Sequence, residues 1–319
     1  MATEFAHAPV LLEESLDWLS LHPHALIVDG TVGGAGHADA ILARSAPDGR
    51  LIGLDRDREA LATAAIRLAR YGERVHLVHA SFRDLRAVLA ELGTPRVDGV
   101  LLDLGVSSHQ LDTPTRGFRF GAETAAETPL DMRMDAGAGP DAAELLREAS
   151  AEEIEDWLRR YADLPGARRL ARALVAARER APLRTAADLV RVIREAHVGG
   201  GRRHNPATLV FQALRIATND ELGALAAGLD AAIDALRPGG RLVVIAYHSA
   251  EDRIVKNGLR DAARGCTCPP HVPVCVCGGR VRLRVLTRRP VSASPTEVAN
   301  NPRSRSARLR AAERVAEAA

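Results

Sequence analysis

Val28-Asp29-Gly30-Thr31-Val32-Gly33-Gly34-Ala35-Gly36-His37 places four glycines within ten residues, directly after an apolar run. Glycines let a chain turn sharply and let a ligand approach the backbone. The spacing is not G-x-G-x-x-G and no Gly-Lys-Ser/Thr follows, so neither a dinucleotide fingerprint nor a phosphate loop is present. Asp55 closes a second apolar run, where a carboxylate can accept two hydrogen bonds from ribose hydroxyls. Asp57, in Asp55-Arg56-Asp57-Arg58, suits a helix cap. Phe82 follows a third run and could lay its ring on a base. Asp103 ends a fourth, in Leu101-Leu102-Asp103-Leu104-Gly105, and would stand beside the glycine loop.

Tyr247-His248-Ser249 follows a fifth run. Histidine titrates near neutrality, so His248 could relay a proton, or it could be tied to Glu251 or Asp252. Cys266-Thr267-Cys268 and Cys275-Val276-Cys277 could supply four thiolates to zinc, although their C-x-C spacing is not the stronger C-x₂-C. The other reading is a loop of reduced cysteines, a cytoplasmic disulfide being disfavoured.

These residues need elements to position them. Ala25–Asp29, Arg50–Asp55, Val75–His79 and Gly99–Leu104 read as buried strands. Helical spacing lies between them, as in Glu59–Tyr71. Such alternation predicts a parallel sheet covered on both faces, with ligands at the carboxyl ends of its strands. Residues 110–140 read as a long loop, and Asp141–Arg147, Ala151–Tyr161, Arg168–Arg180 and Thr185–His197 as helices without strands. One helical stretch over Pro206–Leu236 follows, then a turn at Arg237–Gly240, a strand at Arg241–Tyr247 and a last strand at Val281–Thr287. The expected layout is an α/β domain of residues 1–110 and 206–319 with a mainly helical insertion over 111–205.

The 319 residues are 46% hydrophobic and 26% charged, as expected of a soluble enzyme. No apolar run reaches the ~20 residues of a membrane span. Met1–Glu14 lacks the basic-then-apolar pattern of a secretory signal, so a cytoplasmic location is expected. The net charge of +2 excludes little, but Arg280–Arg314 is locally basic.

Taken in order along the chain, these motifs resemble the RsmH (MraW) family of bacterial small-subunit ribosomal RNA cytosine-N4 methyltransferases. The resemblance runs nearly end to end. It includes His7–Glu14, the glycine loop ending in His37, Leu54–Asp57, Leu102–Ser108 with Gln110-Leu111, and Arg116-Gly117-Phe118. It continues through Pro129–Asp135, Phe211–Ile216, His248–Lys256 and Asn301–Ser306. It implies a Rossmann-like methyltransferase fold with a helical insertion, and S-adenosylmethionine held by Gly33, Gly34, Ala35, Gly36, His37, Asp55, Phe82, Asp103 and Gln110. It implies as substrate a cytosine of the decoding region of 16S RNA within the small subunit. The chain departs from the family in three places: Ala35 for a usual glycine, Asn205-Pro206-Ala207-Thr208-Leu209 for His-Pro-Ala-Thr-Arg, and Tyr247 for phenylalanine.

A cytosine N4 amine is a poor nucleophile, its lone pair being delocalised into the ring. The enzyme must hold it in line with an electrophilic methyl and give its proton an acceptor. The Asn/Asp-Pro-Pro-Tyr motif common in amino methyltransferases is absent. Asp103, Tyr247, His248 and Ser249 are therefore the catalytic candidates. The base must be unpaired or flipped out. With 3% aromatics, arginines such as Arg202, Arg203, Arg303, Arg305 and Arg308 are candidate phosphate contacts. Three alternatives remain: a methyltransferase with another RNA or protein amine substrate, a non-catalytic RNA-binding homologue, and a nicotinamide dehydrogenase, against which the glycine spacing speaks.

Overall fold

The computed structural model describes residues 9–119, 128–198, 205–265, 268, 274 and 279–316. Two compact units emerge, Met1–Gly105 with Leu222–Ala319, and Val106–Glu221.

The first unit is built on a seven-stranded sheet: β1 (Leu26–Asp29), β2 (Arg50–Asp55), β3 (Val75–His79), β4 (Val97–Asp103), β5 (Leu236–Ala246), β6 (Leu283–Val285) and β7 (Arg308–Arg314). Their order is β3-β2-β1-β4-β5-β7-β6. The first five strands run parallel, and β7 is antiparallel to both β5 and β6. The helices of this unit are α1 (Leu12–Leu19), α2 (Gly36–Arg44), α3 (Arg58–Leu68), α4 (Leu85–Glu91), α11 (Glu221–Ala235), α12 (Ser249–Arg264) and α13 (Pro295–Asn300).

Alternation along the strands sorts the core onto two faces. Leu26, Val28, Val100, Leu102, Leu242 and Val244 pack with Leu85, Leu89, Leu229 and Leu259 from α4, α11 and α12. Ile27, Leu51, Leu101, Val243 and Ile245 pack with Leu16, Ile41, Leu42 and Leu68 from α1, α2 and α3. Both faces being covered, the central strands can be apolar throughout, and all four residues of β1 are buried, Asp29 included. This is the doubly wound α/β class expected from the strand–helix alternation.

The second unit contains α5 (Ser108–Asp112), α6 (Ala142–Glu148), α7 (Ala151–Ala162), α8 (Ala167–Arg180), α9 (Ala186–Glu195) and α10 (Pro206–Asn219). Leu146, Ile154, Leu158, Leu170, Leu174, Leu189 and Leu214 are among its core residues. Several residues here, motif positions among them, are structural. Asn219 donates to the Met132 carbonyl at 2.7 Å and accepts from the Met134 amide at 2.8 Å. Arg116 donates to the carbonyls of Arg133 and Met134. Gly117 has φ +74, and a Cβ on it would lie 2.5 Å from the Pro129 carbonyl oxygen. Asn205 caps α10 by accepting from the Ala207 amide at 3.0 Å, a task its amide oxygen performs well.

Three expectations change. The helical stretch over Pro206–Leu236 is two helices, because Asp220 adopts a left-handed conformation (φ 45, ψ 46) that ends α10. Arg237–Gly240 lie within β5 as an irregularity: Leu236 pairs with Val97, pairing resumes at Arg241 with Gly99, and Gly239 has φ +83. The Val281–Thr287 strand shrinks to β6, and the arginine-rich end holds a strand, β7, that its charge disguises. Arg310 of β7 is buried in a bidentate pair with Asp252, at 2.7 and 3.1 Å.

Candidate functional site

The strand order reverses between β1 and β4, and beyond their carboxyl ends lies the crevice where open α/β sheets bind ligands. Asp29, Asp55 and Asp103 end β1, β2 and β4. The glycine loop connects β1 to α2 across this edge. Gly30 N donates to the Leu101 carbonyl and Val32 N to the Leu54 carbonyl, each at 2.9 Å, so the loop is stapled to both neighbouring strands.

Side chains tie the loop to the acids. Asp55 accepts from Gly33 N through Oδ2 and from Asp57 N through Oδ1, both at 2.8 Å. Each carboxylate oxygen keeps a further lone pair for a ligand hydroxyl. Asp57 caps α3 by accepting from Glu59 N at 3.0 Å. Thr31 N donates to Asp29 Oδ1 at 3.1 Å, while the Thr31 hydroxyl accepts from Asp103 N at 2.7 Å. The glycines differ in purpose. A Cβ on Gly30 would meet Leu102 Cδ2 at 2.5 Å and one on Gly36 would meet Pro9 Cγ at 2.5 Å, whereas one on Gly34 would meet nothing within 4 Å. Gly34 thus faces open space at the loop surface, where a ligand can approach the backbone.

Ala35 is fully buried with φ 61 and ψ 26, at the N-cap of α2. A left-handed conformation costs a residue with a Cβ about 1–2 kcal/mol. Against this stand its buried methyl, worth about 0.8 kcal/mol, and the extra unfolded-state freedom of glycine, about 0.5–1 kcal/mol. The terms nearly cancel. Ala35→Gly is expected to change stability by less than about 1 kcal/mol, and a thermal unfolding midpoint displaced by more than about 5 °C would contradict this balance.

Tyr247 leaves β5 and donates its hydroxyl to Asp103 Oδ1 at 2.8 Å, a bond that phenylalanine could not make. Glu251, 2% exposed, accepts from the amides of Tyr247 (2.8 Å) and His248 (3.2 Å) through Oε2 and so holds this turn. His248 caps α12, its Nδ1 accepting from Glu251 N at 3.4 Å, with Nε2 3.2 Å from Glu251 Oε1. That arrangement ties the ring to Glu251. Ser249 is exposed in the first turn of α12.

His37 is buried on α2. Its Nε2 lies 3.1 Å from the Val10 carbonyl and its Nδ1 3.6 Å from Asp103 Oδ2. Burial lowers the His37 pKa, against the pull of Asp29 and the Val10 bond, so the ring is neutral at pH 7. Burial raises the acids: Asp29 to about 6, with Asp103 and Asp55 adding to the rise and His37 and the Thr31 amide opposing it, and Asp103 to about 7, opposed by the Tyr247 bond and reinforced by Glu251. Asp55 is raised by burial, opposed chiefly by its two backbone bonds. Tyr247 is held well above 10 by burial and then by the Asp103 charge. A pocket with three desolvated carboxyls is short of positive charge and suits a cationic ligand.

Phe82 is half-buried beside the loop. A Cβ on Gly30 would lie 3.1 Å from Phe82 Cβ, and one on Gly228 would meet the ring edge at 2.4 Å, so glycine at 228 leaves room for it. Gln110 lies in the second unit, where Oε1 accepts from Ser107 N at 3.0 Å in a capping box. Three residues of the acid cluster went unselected from the sequence. Asp29 gave one signal, an acid ending a wholly apolar strand; Thr31 and Glu251 gave none beyond their motifs.

Cys266, Cys275 and Cys277 lie outside the described residues, as do Arg202 and Arg203. Among the described residues no group of three His, Cys, Asp or Glu could hold a metal, so nothing there supports the zinc reading. Arg305 and Arg308 are exposed and Arg303 is half-buried. Among the described residues no helix is long and apolar enough to cross a membrane.

The model of the MraW methylase family matches residues 4–315. The chain is similar to the ribosomal RNA small subunit methyltransferase H of Heliobacterium mobile, at 51% identity over 315 residues covering 98% of this chain and all of the relative. It is 52% identical over 313 residues to the protein of that name from Geobacter sulfurreducens, covering 98% and 99% of the two chains. A solved rRNA methylase from Streptococcus thermophilus aligns over 98% of this chain and all of its own, at 11% identity and a TM-score of 0.40.

Proposed function

Because the chain belongs to the MraW methylase family, we propose that it transfers a methyl group from S-adenosylmethionine to the N4 amine of a cytidine in the decoding region of 16S RNA, within the small ribosomal subunit of the bacterial cytoplasm. The observation that carries this reading is the convergence of Asp29, Asp55 and Asp103 on one glycine-opened strand edge, with acidities shifted by burial toward neutrality. The names of the relatives point to the RNA.

The donor fits the residues present. Asp55 would accept the ribose hydroxyls, the backbone of Gly33–His37 would face the amino-acid portion, and Phe82 would lie by the adenine; Gln110 is a further donor-binding position by the family resemblance. When bound, S-adenosylmethionine supplies an electrophilic methyl whose bonding pair stays with the departing sulfur. Asp103 would orient the amine through one N–H and take the proton the nitrogen sheds as the N–C bond forms. Tyr247 fixes the carboxyl plane by bonding its other oxygen. Glu251 fixes Tyr247 in turn. The unit Val106–Glu221 would dock the RNA, and Arg303, Arg305 and Arg308 would contact phosphate.

Methyl transfer from labelled donor to small subunits purified from a strain lacking the protein, followed by nucleoside mass spectrometry, tests this. N4-methylcytidine in 16S RNA is the expected product. Label in a protein, or in another nucleoside, would replace the substrate assigned here.

The acids also make donor binding depend on pH. A bound cation favours ionised carboxyls, so protons must leave Asp29 and Asp103 as the sulfonium enters below their pKa values of about 6 and about 7. Affinity should rise with pH from 5.5 to about 8, roughly tenfold per proton displaced per unit. The uncharged thioether product should show far less of this. By the same linkage the unliganded fold loses stability as pH climbs from about 4 toward 7, because both folded values are raised. Calorimetry of both ligands in buffers of different ionisation enthalpy measures the proton release, and identical pH dependence for the two would refute the electrostatic account.

A further inference from the structure

His37 ends the glycine loop, and its side chain turns inward, 7% exposed, between the Val10 carbonyl and Asp103. A carbonyl oxygen can only accept, so the ring nitrogen facing it at 3.1 Å carries the proton. That nitrogen is Nε2. In a neutral imidazole the other nitrogen, Nδ1, then presents a bare lone pair. Nδ1 faces Asp103 Oδ2 at 3.6 Å, beyond hydrogen-bond reach, as expected of two facing lone pairs. The other carboxyl oxygen, Oδ1, already accepts from Tyr247.

We propose that His37 positions the proton on Asp103: the Val10 carbonyl locks the ring as the Nε2–H tautomer, and Nδ1 accepts the hydrogen bond of Oδ2–H once that carboxyl has taken the amine proton. This rests on the methyl-transfer reading above. The balance closes. Nitrogen forms its bond to the methyl carbon, the carbon–sulfur pair stays on sulfur, and the N–H proton passes to Asp103 Oδ2, which then donates to His37. The ring gains no net charge, and Asp103, at 24% exposure, returns the proton to solvent when product leaves. The charged and titratable groups around the pair are Asp29 and Asp55 at neighbouring strand ends and Tyr247 and Glu251 beyond β5. All are acids; in their ionised forms the carboxylates have no proton to give Nδ1, and the Tyr247 hydroxyl is engaged with Oδ1. The side chain of a residue in the donor-binding loop thereby serves the acceptor rather than the donor.

Two measurements test this. In protein labelled with ¹⁵N-histidine, His37 should remain the neutral Nε2–H tautomer from pH 5.5 to 8.5, and its Nδ1 resonance should move as Asp103 titrates and stay still in Asp103→Asn. An Nδ1–H tautomer, or an imidazolium in this range, overturns the proposal. The second uses His37→Phe, which keeps a ring of similar volume but offers Asp103 no acceptor. Its acid limb of kcat, measured at saturating donor, should move about one pH unit lower, the loss of one hydrogen bond to the protonated form. A wild-type acid limb in this variant overturns the proposal, since a ring that only tied the loop to Val10 would leave the protonation of Asp103 where it was. The resonance experiment needs no methyl transfer. Failure of the wild type to methylate any RNA would sink the functional reading while the tautomer result still decides the arrangement of His37.

Discussion

Asp103→Asn should lower kcat for methyl transfer by roughly 10²- to 10⁴-fold, the usual contribution of a positioned proton acceptor. The substitution is nearly isosteric. Its amide oxygen can still accept from Tyr247 in place of Oδ1, and its amino group can donate to His37 Nδ1 in place of Oδ2. The backbone bond from Asp103 N to the Thr31 hydroxyl is untouched. What disappears is basicity: an amide cannot take a proton at neutral pH. The fold should therefore persist, with an unchanged circular dichroism spectrum, and the loss should fall on kcat more than on donor affinity. Single-turnover assays with saturating donor isolate that step. A variant retaining activity within threefold would show that the amine proton leaves by another path and that methyl transfer needs neither the basicity nor the charge of Asp103.

A different signature is expected at the end of β2. Asp55→Ala should weaken donor binding by roughly 10- to 100-fold, because a hydrogen bond to a charged group contributes about 1.5–3 kcal/mol. The effect has two sources. The carboxylate is the acceptor proposed for the ribose, and it also tethers the loop through Gly33 N and the start of α3 through Asp57 N. Asp55→Asn separates them, since one amide oxygen can keep one tether while the negative charge is gone. The expected order of affinity is wild type, then Asn, then Ala, with kcat at saturation changed far less than KM. Equal affinities in all three would remove Asp55 from the donor site.

Most of the sheet was legible because β1, β2 and β4 are largely apolar runs ending in an acid, and burial on both faces demands that pattern, while β3, at the sheet edge with no residue fully buried, showed itself by alternation. Helices α6 to α9 of the second unit were legible from their apolar spacing, whereas α5 fell where a loop was expected. β7 was not, because three of its seven residues are arginines, and partners such as Asp252 for Arg310 and the Ile233 carbonyl for Arg314 make two of them tolerable inside. The break at Asp220 was equally hidden, for nothing local distinguishes a polar residue within a helix from one in a left-handed cap.

Of the proposed site, the loop, Asp55 and Asp103 are legible in the chain's own order, since each sits at a strand end that a residue pattern marks. Tertiary structure alone decided their chemistry. Proton affinity depends on burial and on charges nearby in space, and those come from distant stretches: Tyr247 reaches Asp103 across 144 positions and Val10 reaches His37 across 27. It also gave Asp29, His37 and Glu251 their places around Asp103, because a side chain's neighbours across a parallel sheet are fixed by strand order, which no local spacing encodes.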